Sequence, residues 1–92
     1  MKPPSEIAGA DVVLWAWSEA EPFFAMPYSD GSGAIPIHGL AICRYAESGI
    51  VCRFSCNNRW EPENDSAYDN VEDAVTAESA QYDVRSVQWQ RL

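Results

Sequence analysis

The chain has 92 residues, of which 47% are hydrophobic, 12% aromatic and 22% charged. This length suits one domain with a modest core and excludes a TIM barrel or a pair of Rossmann halves. Fourteen acidic against six basic residues give a formal net charge of −8, which disfavours direct binding to nucleic acid or anionic lipid. The aromatic content disfavours a disordered tail. We therefore expect a single domain over residues 1–92.

The amino-terminal residues and the cysteines bear on location. Met1 to Glu6 are followed only by short apolar stretches, so the pattern of a signal peptide is missing. The longest apolar run, Val12 to Trp17, is far shorter than the ~20 residues that span a bilayer. Three cysteines are an odd count, whereas small secreted domains usually carry pairs. We expect a cytoplasmic protein with reduced thiols and no membrane contact.

The first third of the chain predicts two strands and a loop. Asp11 to Trp17 is rich in β-branched and aromatic residues, and it predicts a strand that is apolar on both faces. Phe23 to Met26 predicts a short edge strand, because Pro22 and Pro27 bound it. Tyr28 to Ala34 is rich in glycine and serine, which is typical of a loop.

Ile35 to Tyr45 and Gly49 to Cys56 predict a β-hairpin. With a two-residue loop, Cys43 faces Cys52; a type I turn with a bulge at Gly49 would shift the pairing by one residue. The first register separates apolar from polar residues better, so we prefer it. One face then carries Ile35, Ile37, Ala41, Cys43, Tyr45, Ile50, Cys52, Phe54 and Cys56. The opposite face carries His38, Leu40, Ile42, Arg44, Val51, Arg53 and Ser55.

The last third predicts a loop, a helix and a strand. The segment from Asn57 to Tyr68 is irregular by its Pro, Asn, Asp and Ser content. A helix capped by Asp69 or Asn70 ends near Ala80, and Val84 to Leu92 closes the chain as a strand. The predicted fold is α+β, a mostly antiparallel sheet of about five strands in the order β-β-β-β-α-β with one helix on one face. Part of the other face must then be solvated or used for contact.

The sequence carries no pattern of catalytic or zinc-binding residues. Cys52 and Cys56 lie along a strand rather than on a zinc knuckle, and His38 falls on the face opposite the cysteines. The segment Gly31 to Gly33 lacks the lysine of a phosphate-binding loop, and no serine has the glycine neighbours of a nucleophile elbow. We expect buried free thiols, with a disulfide between Cys43 and Cys52 as the alternative, no cofactor and a non-catalytic protein.

Eight acidic residues and no basic one lie between Trp60 and Val84. An alternating acidic segment is typical of a calcium loop, in which oxygen ligands converge on a hard cation. Here Pro62 occupies the second position and Ser66 replaces the glycine of the sharp turn. A calcium-binding module therefore stays an alternative, with metal ligands at Glu61, Glu63, Asp65, Asp69 and Glu72.

The same segment predicts a docking surface for a basic partner. Exposed carboxylates accelerate association with a cationic surface, and aromatic side chains supply lasting contacts. The predicted partner-binding residues are Trp60, Glu61, Glu63, Asp65, Tyr68, Asp69, Glu72 and Asp73. Two alternatives concern other regions. One is a small-ligand pocket near His38, Arg44 and Arg53, and the other is a homodimer through an apolar sheet face that carries Trp15, Trp17 and Trp89.

The stretch from Arg53-Phe54-Ser55-Cys56 to Trp60-Glu61, followed by Asp65, Tyr68 and Ala74, is similar to a pattern in small uncharacterised bacterial proteins. In character the chain resembles the small acidic inhibitors of bacteria and their phages, namely toxin-immunity proteins and anti-CRISPR proteins, over about Ile35 to Ala80. The resemblance implies a short α+β domain without catalytic residues that inhibits or masks a toxin, a nuclease or a nucleic-acid-handling complex such as a CRISPR effector.

Overall fold

The computed structural model describes residues 1–92, which form eight β-strands, one α-helix and one 3₁₀ turn. The strands are β1 (Glu6–Ile7), β2 (Ala10–Trp17), β3 (Phe24–Pro27), β4 (Ala34–Ile37), β5 (Gly39–Arg44), β6 (Val51–Cys56), β7 (Pro62–Tyr68) and β8 (Gln90–Arg91). The helix α1 is Val71–Thr76, and the 3₁₀ turn is Val84–Ser86. The helix is not long and apolar enough to cross a membrane.

The main sheet is antiparallel and runs in the order β1-β2-β5-β6-β7, with β8 paired to part of β2. The main sheet curls into a half-barrel. Strands β3 and β4 pair only with each other and form a separate two-stranded ribbon. The predicted α+β class, a mostly antiparallel sheet with one short helix, is therefore confirmed at this level.

Three predicted elements are wrong in type or length. The segment predicted as irregular up to Tyr68 forms β7, because β6 offers a free edge whose hydrogen bonds outweigh weak strand propensity. The helix ends at Thr76 rather than near Ala80, since Ala77 already has extended backbone angles. The predicted carboxyl-terminal strand is instead a 3₁₀ turn followed by the two residues of β8.

The preferred hairpin register is confirmed, although the turn differs. Cys43 lies opposite Cys52. The loop has four residues rather than two, because the Gly49 N–H donates to the Tyr45 carbonyl at 2.8 Å. Gly49 has a φ of 74°, a left-handed conformation that glycine adopts without strain. The Tyr45 N–H donates to the Ile50 carbonyl at 3.0 Å. The residues that flank the turn therefore pair in the same register as a two-residue loop would give.

The long first strand of the predicted hairpin breaks at His38. Residues 34–37 pair with β3, and residues 39–44 pair with β2 and β6. This break moves Ile37 off the cysteine face, where it was predicted, into a cluster with Leu40 and Val87 on the helix side of the sheet. Ile35 packs against the same cluster.

The face that carries the three cysteines is filled rather than solvated. Its ten buried residues form one cluster, namely Ile7, Ala10, Val12, Trp15, Ala41, Cys43, Cys52, Phe54, Cys56 and Trp60. A bulge between Val12 and Leu14 brings Val12 to the side of Trp15, whereas regular alternation along a strand would place these two side chains on opposite sides. Trp15 is buried, and Trp17 and Trp89 are half-buried. The three tryptophans predicted for a dimer contact thus lie in packed environments.

The opposite face is covered by α1 and the carboxyl-terminal segment. Ala74 of α1 packs with Ile42 and Val51 in a second buried cluster, and Trp89 packs against its rim. Arg53 was predicted on this face and is 8% exposed. Its guanidinium Nη1 donates to the backbone oxygens of Ala74 at 2.7 Å and Ala77 at 2.8 Å. A buried arginine thus caps the carboxyl end of α1, where the helix dipole favours a cation.

Candidate functional site: an acidic strand edge

The acidic residues predicted to bind a partner follow the free edge of β7. Two lie in β7, two in the first turn of α1 and two in the turns that precede these elements. The six residues, hereafter the acidic strand–helix surface, are Glu61, Glu63, Asp65, Asp69, Glu72 and Asp73. Glu63 is half-buried, and the other five are exposed.

The six carboxylates do not share one face of the sheet. Asp65 lies directly opposite Phe54, so its side chain projects on the cysteine face. Burial first, and then the Asp65 carboxylate, raises the pKa of the Cys52 thiol, which agrees with this placement. Glu72 and Asp73 belong to α1, which packs on the other face. Negative charge therefore flanks the edge of β7 from both sides.

The turn before β7 is built around Asn57. Its side-chain oxygen accepts from the N–H groups of Arg59 at 2.8 Å and Glu61 at 3.1 Å. Its side-chain amide donates to carboxylate oxygens of Glu61 and Glu63, each at 2.9 Å. One amide therefore holds two carboxylates close together at the start of the strand. Sequence analysis missed Asn57, although an Asn-Asn pair before an acidic strand is a recognisable turn pattern.

The start of α1 is fixed by Asn70 rather than by Asp69. The Asn70 side chain accepts from the Asp73 N–H at 2.8 Å and donates back to the Asp73 carboxylate at 3.2 Å. Of the two predicted caps, Asn70 is therefore the one that the structure uses. Glu72 and Asp73 then lie in the first turn, where the helix dipole stabilises negative charge.

None of the six carboxylates is neutralised by a salt bridge. The single ion pair of the chain joins Arg85 to Asp83, with 3.5 Å between nitrogen and oxygen, and both side chains are well exposed. Arg59 lies in the turn between Asn57 and Glu61 but forms no ion pair with the neighbouring glutamates. Arg53, the basic residue of β6, is buried and bonded to helix carbonyls. The acidic strand–helix surface thus presents uncompensated charge to solvent.

Trp60 was predicted as a contact residue for a partner, but it lies in the core. It is 6% exposed and adopts a left-handed φ of 61°, which folds its ring back over the sheet. The ring packs edge-on against Trp15 at 6.3 Å and tilted against Trp17 at 5.4 Å. A Cβ added at Gly39 would come within 2.6 Å of the Trp60 ring, so only glycine leaves room for it. The prediction failed because the tight turn returns the indole to the sheet.

Tyr68, the other predicted contact residue, has mainly a structural role. It is half-buried at the end of β7, and its ring lies 5.4 Å from the Arg53 guanidinium. The ring of Tyr82 lies 5.9 Å from the same guanidinium. The two rings flank a buried cation that has no carboxylate partner, and cation–π attraction replaces part of its lost hydration.

The structure does not form a calcium loop. Glu63 and Asp65 lie on an extended strand, whereas Glu72 lies on a helix that packs against the opposite face. The candidate ligands Glu61, Glu63, Asp65, Asp69 and Glu72 therefore do not converge. More generally, no three His, Cys, Asp or Glu side chains are arranged to hold a metal ion. The alternation that suggested a calcium loop is the alternation of β7.

The predicted small-ligand pocket near His38, Arg44 and Arg53 is also wrong. Arg53 is buried beneath α1, and Arg44 is exposed at the far end of β5. His38 stacks on Trp17 at 5.6 Å, and its Nδ1 is hydrogen-bonded to the Ser18 hydroxyl at 2.7 Å. The three basic residues are scattered because the chain breaks at His38 and because α1 covers the face of Arg53.

His38 instead lies in a polar cleft of about 490 Å³ between the β3–β4 ribbon and the turn before β7. The lining includes Tyr28 from the ribbon and Asn57, Glu61 and Glu63 from the turn. His38 was predicted on the face opposite the cysteines. It instead stacks on Trp17, which packs against Trp60 of the cysteine face, so His38 lies at the border of that face. Arg59 also lines this cleft, so the cleft combines the two glutamates with a basic side chain.

The three thiols are buried and unbonded, as predicted. Burial raises the pKa of Cys43 to about 12 and that of Cys56 to about 12. A neutral thiol surrounded by apolar atoms is a poor nucleophile and a poor metal ligand. The cysteines therefore contribute to the core of the half-barrel rather than to a reaction centre.

Comparison of this chain with protein-family models, with curated proteins and with solved structures finds no match. The resemblance to immunity proteins and anti-CRISPR proteins accordingly stays a prediction.

Proposed function

We propose that this protein binds a basic macromolecular partner through the acidic strand–helix surface. The observation that carries the proposal is the absence of any salt bridge to these six carboxylates, five of which are exposed. All six basic residues of the chain lie outside residues 61–73. Arg53, the nearest in the sheet, is buried, and the exposed Arg59 forms no ion pair. A cationic partner would supply the missing counter-charges.

The expected contribution of this charge is to association rate and specificity. The formal net charge of −8 attracts a cationic surface over a distance set by the salt concentration, about 10 Å at 0.1 M. Exposed ion pairs each contribute little to affinity. Lasting contact must therefore come from additional interactions along β7, whose free edge these carboxylates border.

The partner class follows from the sign of the charge. Proteins with extended cationic surfaces commonly use them to bind nucleic acid. Occupation of such a surface by this protein would block that use, which is the inhibiting or masking role that the resemblance implies. A toxin, a nuclease or another nucleic-acid-handling complex is the partner that we propose, with no catalytic step by this chain.

Two amide-substituted variants test the proposal. The first neutralises the acidic strand–helix surface with the changes E61Q, E63Q, D65N, D69N, E72Q and D73N. The matched control makes the same change at exposed acids elsewhere, with E6Q, D11N, E19Q, E21Q, D30N and E47Q. Both variants have the same net charge, so they separate local from overall electrostatics.

Immobilised wild type, first variant and control are incubated with lysate of the source organism at about 50 mM and about 500 mM salt. We expect wild type and control to retain the same basic protein at low salt and to release it at high salt. The first variant should not retain it. Equal retention by both variants, or retention that salt does not weaken, would contradict the proposal.

A further inference from the structure

The edge of β7 that faces away from β6 has no strand partner. β7 is the last strand in the order of the main sheet. In an antiparallel ladder every second residue pair exchanges backbone hydrogen bonds. Tyr45 and Ile50 form such a bonded pair, so Cys52 and Phe54, which follow at alternate positions of β6, direct their backbone N–H and C=O groups toward β5. Arg53 and its alternate neighbours therefore bond to β7. It follows that Asp65 and Ala67, which lie opposite Phe54 and Cys52, direct their N–H and C=O groups outward.

A groove lies beside this edge, on the cysteine face at the open seam of the half-barrel. It has a volume of about 280 Å³ and is lined by Ala8, Tyr45, Phe54, Glu63 and Asp65 among others. The groove therefore combines two carboxylates with the apolar surface of aromatic rings. Long basic side chains suit such a lining, because their stems pack on apolar surface while their charged ends reach the carboxylates.

The charge of the edge decides between a second copy and a different partner. Two β7 strands paired antiparallel about Asp65 would set the two Asp65 carboxylates opposite each other, and like charges in that position are destabilising. Each copy also carries a formal net charge of −8. Acidic residues on an edge strand protect against self-pairing in this way. The occupant that complements the edge is a basic one.

From this geometry we infer that β7 accepts an extended segment of the basic partner as an additional antiparallel strand. Backbone hydrogen bonds to Asp65 and Ala67 would hold the segment. Lysine or arginine side chains at alternate positions would project on the cysteine face and enter the groove toward Glu63 and Asp65. This inference rests on the proposed function and specifies how the partner binds, namely by strand addition.

The test uses a synthetic peptide of about ten residues that alternates lysine and threonine, since strands of this length are common. A lysine that pairs with Asp65 on the same face must donate its backbone N–H to β7. Methylation of the lysine backbone nitrogens therefore removes the edge bonds, whereas methylation of the threonine nitrogens leaves them intact. All three peptides carry the same charge.

Titration calorimetry should give equal affinity for the unmodified and threonine-methylated peptides. The lysine-methylated peptide should bind at least about tenfold more weakly, as expected for the loss of two interstrand hydrogen bonds. On the protein side, Ala67→Pro removes an outward N–H without touching the bonds to β6. This variant should unfold like wild type and bind the unmodified peptide more weakly, by a smaller factor because it removes one interstrand hydrogen bond rather than two. Ala67→Val is its control.

Equal, salt-sensitive binding of all three peptides would overturn strand addition while leaving the proposed function in place. Absence of binding by any peptide would also overturn it, and lysate capture then decides the proposed function separately. A dimer in light scattering that Ala67→Pro dissociates would show that a second copy occupies the edge, which contradicts a basic occupant.

Discussion

Substitution of Arg53 by methionine should destabilise the protein, because it removes the group that fastens α1 to the sheet. The guanidinium donates to the Ala74 and Ala77 carbonyls at 2.7 and 2.8 Å and lies between the rings of Tyr68 and Tyr82. Hydrogen bonds from a charged donor contribute about 1.5–3 kcal/mol each. Ring contacts with a desolvated cation add up to about 2 kcal/mol each.

The net effect is smaller than this sum, because methionine also removes a buried charge. Desolvation of an ion costs several kcal/mol, which offsets more than half of the gross interaction. We therefore expect Arg53→Met to lower the free energy of unfolding by about 3 kcal/mol, equivalent to about 12–24 °C in Tm for a domain of this size. Arg53→Lys keeps the charge but loses the planar fork, so it should lose only about 1–2 kcal/mol.

The assay is urea unfolding followed by tryptophan fluorescence and circular dichroism. Arg59→Met is the matched control, because Arg59 is exposed and its side chain forms no hydrogen bond or ion pair; its unfolding free energy should stay within about 0.5 kcal/mol of wild type. If the unfolding free energy of Arg53→Met lies within about 1 kcal/mol of wild type, Arg53 does not fasten α1 to the sheet. If the lysine variant is as unstable as the methionine variant, the retained charge contributes nothing.

Three further predictions concern the core and the helix start. Gly39→Ala should lower Tm, measured by thermal unfolding, by about 8 °C or more, because the added Cβ would overlap the Trp60 ring. Adding Trp60→Leu to the same chain should restore part of the lost Tm. Cys43 and Cys56 have folded-state pKa values raised by burial to about 12 from an ordinary 9.0, so the unfolded state ionises first and unfolding free energy should fall as pH rises from about 9 toward 12. Denaturant titrations at successive pH values should show this slope, and alanine at both positions should reduce it. Burial also raises the pKa of Cys52 and of Tyr82, so these groups account for the slope that remains. Asn70→Ala should cost about 1 kcal/mol in urea unfolding and Asn70→Ser much less, since serine also accepts from the Asp73 N–H.

The parts of the fold that sequence predicted well are those with strong periodicity. β2 and the β5–β6 hairpin are rich in β-branched and aromatic residues, and the preferred register places Cys43 opposite Cys52. Both faces of β5 and β6 are buried, so the register was chosen from the better separation of apolar and polar residues, and the structure confirms that choice. The buried thiols followed directly from that register.

The parts that failed depend on contacts distant in sequence. The residues of β7 have little strand propensity and form a strand only because β6 is available beside them. Trp60 returns to the core through a left-handed turn residue and the space above Gly39, neither of which a propensity scale represents. Arg53 is buried only because α1 ends above it. For the candidate site, five of the six acidic residues are exposed and Glu63 is half-buried, and their distribution on both sides of one strand edge was not predicted.

We propose that a basic partner contacts this chain along β7 and the first turn of α1. Chemical-shift mapping of the backbone amides of the ¹⁵N-labelled full chain, titrated with the partner recovered by capture, tests it most directly. We predict that the largest shifts occur between Glu61 and Asp73 and disappear at about 500 mM salt, where screening is strong. Shifts centred on the β3–β4 ribbon or on the β5–β6 turn, with the segment from Glu61 to Asp73 unaffected, would contradict the account.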